Sequence, residues 1–208
     1  MIFITGFHHS GTSILAKTVE QFGFNFGEPL DRHHENEDLK KIDELVVPNW
    51  MDMKHGSIED GVKAVDLVGS MPAGIDAYKN PRLMMTALLW NKKFSFSKWI
   101  VIDRKKEDVI ISMMADKTRP QDPIFWDHLM NGYEHMFTTF AQENLFERQD
   151  HALLRIDYEM VCAYPELYAK KIGMFLGRPE KAEEVGAWMR ATWKLKTYAQ
   201  SPCAHTVV

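Results

Sequence analysis

The first 23 residues, MIFITGFHHSGTSILAKTVEQFG, constrain this chain more than any other stretch. An apolar run, Ile2-Phe3-Ile4, enters a polar turn bounded by Gly6 and Gly11, and an apolar periodicity at Leu15, Val19 and Phe22 follows. That order reads as strand, loop, helix. Successive backbone N–H groups around a tight turn, followed by the free N–H groups and positive dipole end of a helix, make a socket for a phosphate or sulfate. Loops of this kind that hydrolyse triphosphates carry Lys just before their Ser or Thr. Here Thr12 stands in that place, so the loop lacks the usual charge for a triphosphate. Taken alone, GFHHSGTS fits both an anion site and a merely structural turn.

Downstream, strand and helix patterns alternate. Residues 25–34 read as a loop, and Leu39, Ile42, Leu45 and Val46 then take helical spacing, with Asn36 as cap, Glu37 and Asp38 in the first turn and a stop before Pro48. Residues 50–74 read as irregular around a short helical candidate at 58–68. Residues 77–82 form a strand end that turns into a helix at Pro81, continued on one face by Leu83, Thr86, Ala87 and Trp90. The run Trp99-Ile100-Val101-Ile102-Asp103 suits a strand buried on both faces of a parallel sheet. Helices are expected at 107–115, from Asp122-Pro123 to about Phe146, at 165–176 ahead of Gly177, and from Pro179 to about Trp193, with a strand at 152–156. The alternation predicts one α/β domain over residues 1–208, a mostly parallel central sheet flanked by helices. Trp126, Met130, Tyr133, Phe137 and Phe140 repeat with a helical period and are expected in its core rather than in a substrate pocket.

A formal charge of −4 argues against a nucleic-acid partner, yet leaves room for one local basic pocket. Cys162 and Cys203 stand far apart without metal-type spacing, and reduced thiols are expected. No leader and no long apolar run is seen, which predicts a soluble, cytoplasmic protein without a membrane anchor. The adjacent pairs His8-His9 and His33-His34 do not share a helical face as metal-binding i, i+4 pairs do, so no metal is expected.

Three separated segments, in order, resemble the sulfotransferases that use 3′-phosphoadenosine 5′-phosphosulfate (PAPS), especially their bacterial single-domain branch. Gly6-Phe7-His8-His9-Ser10-Gly11-Thr12-Ser13 is similar to the loop that cradles the 5′-phosphosulfate. Arg104, followed eight residues later by Ser112 in WIVIDRKKEDVIISMM, is similar to the strand and helix that bind the 3′-phosphate. LLRIDYEMVCAYPELYAKKIGMFLG, residues 153–177, is similar to the family's strand, Tyr-Glu turn and closing helix. His34-Glu35-Asn36-Glu37-Asp38 and Lys79-Asn80-Pro81-Arg82-Leu83 resemble the acidic helix start and Lys-x-Pro-Arg-Leu turn of the bacterial branch.

The resemblance implies a P-loop nucleotide-kinase-like layered fold and transfer of a sulfuryl group from PAPS to a hydroxyl or amine of a small-molecule or saccharide acceptor, leaving adenosine 3′,5′-bisphosphate and requiring no metal. It implies nucleotide contacts from His8, His9, Ser10, Gly11, Thr12, Ser13, Arg82, Arg104 and Ser112. An Arg at a strand end and a hydroxyl two helical turns on can meet one phosphate, and the planar guanidinium fork suits phosphate oxygens. The competing role for Arg104 is surface pairing with Asp103 or Asp108. The family loop carries Lys or Arg where His9 stands. Either His9 holds the leaving phosphate, with rate depending on pH, or catalysis is weak; Lys79 and Arg82 are the nearest replacement cations. For the general base the resemblance implies Glu35, then His34, against a simple capping role for this segment. Tyr158 and Glu159 are expected to fix a turn. The tail, residues 194–208, lacks the Arg-Lys-Gly segment that closes over the 3′-phosphate in animal members; a frayed surface terminus is expected there, with Lys194 and Lys196 as the alternative for that task. A P-loop kinase and a non-catalytic nucleotide-binding relic are the rival functions.

Overall fold

The computed structural model describes residues 1–46, 74–94, 97–117, 119–142 and 152–194. The helical candidate at 58–68, Cys203 and the tail beyond Lys194 lie outside them. Four strands are described: β1 (Ile2–Thr5), β2 (Ala77–Lys79), β3 (Lys98–Asp103) and β4 (Ala152–Asp157). They pair in the order β2-β1-β3-β4, every pair parallel. Ile4 stands beside Lys79 and Ile100, and Asp103 beside Asp157, so the carboxyl ends of all four strands lie along one edge of the sheet.

Side chains alternate across a strand, and here both faces are covered, which is why β1 and β3 read as unbroken apolar runs. On one face Phe3, Tyr78, Trp99 and Val101 pack under α2 (Glu37–Val46), α3 (Leu83–Lys93), α4 (Lys106–Met114) and α5 (Pro123–Phe140). On the other, Ile2, Ile4, Ile100 and Ile102 meet α1 (Thr12–Gln21), α6 (Tyr158–Ala163), α7 (Pro165–Leu176) and α8 (Ala182–Thr192). Trp126, Tyr133, Phe137 and Phe140 are all buried in the first core, as their period on α5 predicts.

Helix ends follow local chemistry. Asn36 caps α2, its Oδ1 accepting the N–H groups of Asp38 (3.2 Å) and Leu39 (3.1 Å). Asp122 caps α5 through Ile124 N (2.9 Å), and Gly177 closes α7 in the left-handed region at φ 78°. Four expectations are corrected. The helix after β2 begins at Leu83 rather than Pro81, because Asn80 takes the N–H groups of Arg82 (3.0 Å, on Oδ1) and Leu83 (3.1 Å, on its carbonyl) and holds Pro81 and Arg82 in a turn. The Tyr-Glu turn is a short helix, α6, capped by the Asp157 carboxylate on Met160 N (2.8 Å). The last helix is split into a 3₁₀ turn (Pro179–Lys181) and α8. On α2 the inward face carries Leu39, Ile42 and Asp43, whereas Leu45 is exposed. Among the described residues no helix is long and apolar enough to cross a membrane.

Candidate active site

At the carboxyl edge of the sheet lies a cleft of about 800 Å³, where ligands of open parallel sheets commonly bind. The β1–α1 loop forms its floor. Gly6 (φ 153°) has no room for a side chain, since a Cβ there would stand 2.4 Å from the Ile102 carbonyl oxygen. Gly11 (φ 104°) is pressed against Tyr158, whose ring would meet a Cβ at 2.6 Å. Gly11 is also the residue preceding α1, and no side chain caps that helix nor does any acidic residue occupy its first turn. The leading N–H groups of α1 therefore face the cleft without an anionic partner from its own first turn.

His9 sits between these glycines in the left-handed region (φ 63°), a conformation uncommon for a side-chain-bearing residue. Two groups hold it there. Arg104 Nη1 donates to the His9 carbonyl (3.0 Å), and His9 Nδ1 shares a 2.8 Å hydrogen bond with Ser112 Oγ. The Arg104 guanidinium lies 4.9 Å from the centre of the Tyr158 ring, with Glu159 at 3.9 Å. Asp103 pairs instead with Arg155, accepting from its Nε and Nη2, each at 3.0 Å. Tyr158 in turn donates to the Lys194 carbonyl (3.0 Å), and Lys194 lines the cleft.

The opposite wall is built by β2 and the loop before α2. Asp31 organises that loop, accepting the N–H groups of His33 (2.8 Å) and Glu35 (3.0 Å) and the Lys40 ammonium (2.7 Å). Lys79, the last residue of β2, is buried, and its Nζ donates to Glu35 Oε1 (2.7 Å), to the His33 carbonyl (2.9 Å) and to Ser13 Oγ (3.3 Å) on the first turn of α1. Lys40 approaches the other Glu35 oxygen at 3.4 Å. Burial pulls the Lys79 ammonium below the ordinary lysine range, and the Glu35 charge opposes that pull.

Seven Lys and Arg side chains line the cleft (Arg32, Lys40, Lys79, Arg82, Arg104, Arg119 and Lys194) against the carboxylates of Glu35, Glu44 and Asp116. His8 also lines it. Burial, then the charges of Arg82, Arg119, Lys79 and His9, hold its imidazole well below the usual histidine range, so His8 is neutral at physiological pH. Arg82 stands 3.7 Å from Glu44. Gly11, Thr12 and Ser13 line the cleft as well.

Two residues expected at the site are placed away from the cleft. Ser10 is buried with its Oγ lacking a hydrogen-bond partner, and it lines a small cavity of about 160 Å³ with Phe7, Ile102 and Arg104. His34, also at φ 63°, stacks edge-on against Phe26 and points toward Glu20 at 3.8 Å, while its neighbour His33 lines the cleft instead. The left-handed turn at His34 sends adjacent side chains in different directions, which a linear pattern does not reveal. Sequence reasoning also missed Arg119 and Lys40, which line the cleft, and the burial of Asp43 on α2. The one available signal was Asp43 itself, a carboxylate four residues after Leu39 on the apolar face of α2. Among the described residues no group of three or more His, Cys, Asp or Glu is placed to hold a metal ion.

Residues 1–207 match the family described as the sulfotransferase domain. No curated protein matches the chain. Among solved structures it is similar to "retinol dehydratase in complex with androsterone and inactive cofactor PAP", at 14% identity and a TM-score of 0.48, over 90% of this chain and 63% of that one.

Proposed function

The chain belongs to the sulfotransferase domain family, and from that membership we propose that its cleft binds PAPS and directs a sulfuryl group to a hydroxyl or amine of a small-molecule or saccharide acceptor. The observation that carries the reading is the tie between Arg104, His9 and Ser112, which joins the anion loop to a guanidinium just past β3 and a hydroxyl on α4 at one spot. The residues fit an anionic nucleotide: an α1 start without a side-chain cap, a glycine cradle closed by Tyr158, and a wall richer in cations than in carboxylates.

Gly11, Thr12 and Ser13, with His8 and His9, hold the phosphosulfate end, and Arg104 and Ser112 hold the 3′-phosphate. PAPS supplies, when bound, a sulfuryl group attached to a good phosphate leaving group. The chain's own residues orient that group and stabilise the charge that grows on the leaving oxygen. Lys79 takes the part of the missing loop cation, because its ammonium reaches the head of α1 from β2. Arg82 adds charge from the next turn. Glu35 accepts the proton of the acceptor, within reach of the same ammonium.

Calorimetry tests the reading. Adenosine 3′,5′-bisphosphate is expected to bind in preference to ATP, with affinity at least about tenfold weaker in Arg104→Ala, since a charge-assisted contact to phosphate is lost. Transfer of labelled sulfate from PAPS to a mixed acceptor panel is the second expected result. Tight magnesium-dependent ATP binding in its place would overturn the proposal in favour of a kinase.

A further inference from the structure

Asp43 lies beneath the cleft on the inward face of α2 and is wholly buried. Its Oδ2 accepts from the Tyr78 hydroxyl and from Asn80 Nδ2 (2.9 Å); its Oδ1 accepts from Thr86 Oγ1 (2.6 Å) and Trp90 Nε1 (2.7 Å). All four donors are neutral, and together they fill the lone-pair sites a carboxylate offers. An ionised side chain is a costly way to join elements that apolar packing could join. Its placement is informative because the donors flank the cleft residues. Tyr78 and Asn80 stand on either side of Lys79, Asn80 Oδ1 takes the Arg82 N–H (3.0 Å), and Thr86 Oγ1 also reaches the Arg82 carbonyl (3.2 Å). The helix that carries Asp43 starts two residues after Glu35.

We propose that Asp43 is a positioning residue, a carboxylate clamp that fixes β2, the Asn80-to-Arg82 turn and α3 against α2 so that Lys79, Arg82 and Glu35 meet in the cleft, and that protonation opens the clamp. This rests on the sulfotransferase reading of the cleft. A protonated carboxyl must place its own hydrogen among four donors already directed at it, so at least one of them must turn its hydrogen away or be displaced. Burial pushes the Asp43 carboxyl up from the usual range to about 6, opposed by the hydrogen bonds from Thr86, Trp90 and Tyr78 and by the charge of Arg82. The other titratable groups facing it do not compete near neutrality. Burial, with the Asp43 charge adding to it, pushes the Tyr78 phenol well above its ordinary value. Burial pushes Tyr133, on α5, up to about 12.

The test follows the indole N–H resonance of Trp90 in ¹⁵N-labelled protein from about pH 5 to 8, assigned through Trp90→Phe, beside kcat and KM over the same range. The resonance is expected to titrate with a midpoint near pH 6 and to be flat in Asp43→Asn. In that variant kcat falls about tenfold or more, as misplacement of catalytic groups does. Its acceptor KM stays within about twofold, and the part of the wild-type acid limb that shares the Trp90 midpoint disappears. Thr86→Val, which removes one donor and keeps the charge, is expected to move the midpoint upward. An unmoved midpoint in Thr86→Val, a flat Trp90 resonance in the wild type, or an undiminished kcat in Asp43→Asn would each overturn the clamp. If Trp90 titrates while the wild type transfers no sulfate to any acceptor, the clamp stands and the sulfotransferase reading falls. If transfer proceeds while Trp90 stays flat, the reverse holds.

Discussion

Lys79 has 1% of its surface exposed and makes three hydrogen bonds, to a carboxylate, a carbonyl and a hydroxyl from two different stretches of chain. An ammonium so held is preorganised, and electrostatic groups of that kind dominate many rate enhancements. Lys79→Met is expected to lower kcat about a hundredfold, the usual cost of removing one preorganised stabilising donor. Glu35→Gln should lower kcat with little change in adenosine 3′,5′-bisphosphate affinity by calorimetry, because it keeps the shape and removes the proposed proton acceptor. An unaltered turnover in Glu35→Gln would place the base elsewhere in the cleft. At this scale the gathering of Glu35, Lys79, Arg104 and Ser112 along one cleft was anticipated from the segments that resemble the sulfotransferases. The placement of Ser10 and His34 was not, since the direction of each side chain is decided by left-handed backbone at His9 and His34 that no pattern of residue types announces.

The α2 element joins local rules to the site. Asn36 satisfies two leading N–H groups, and its Nδ2 also reaches the Phe26 carbonyl (3.3 Å), tying the helix to the loop that carries Glu35. Asn36→Ala is expected to cost about 1 kcal/mol in urea denaturation, the ordinary worth of an N-cap. Caps and breakers were readable here and at Asp122 and Gly177, because they depend on neighbours in sequence. The inward face of α2 was misread at Leu45. A hydrophobic period assigns a leucine to the interior, but the interior at this corner is organised by Asp43 and its donors, so the helix turns its carboxylate inward and leaves Leu45 in solvent.

Across the whole molecule, a net charge of −4 coexists with a cleft whose cations outnumber its carboxylates. Opposite fields on one small surface concentrate an anionic ligand at the cleft and repel it elsewhere. Affinity for adenosine 3′,5′-bisphosphate is accordingly expected to fall steadily as NaCl rises from about 50 to about 300 mM, a range over which screening shortens below cleft dimensions. A flat salt profile by calorimetry would mean that the cations do not contribute. The parallel sheet was legible because strands buried on both faces leave unbroken apolar runs. The order β2-β1-β3-β4 was not, since pairing between distant segments leaves no local trace.

One consequence concerns how such chains diverge. The ammonium at the head of α1 comes from a residue 66 positions after the hydroxyl it touches, on a strand rather than in the loop. On the proposed reading, cradle and charge are encoded separately, and a drift at position 9 is offset at position 79 without altering the backbone of either. A relative with a cation at neither position is then expected to bind adenosine 3′,5′-bisphosphate without transferring sulfate.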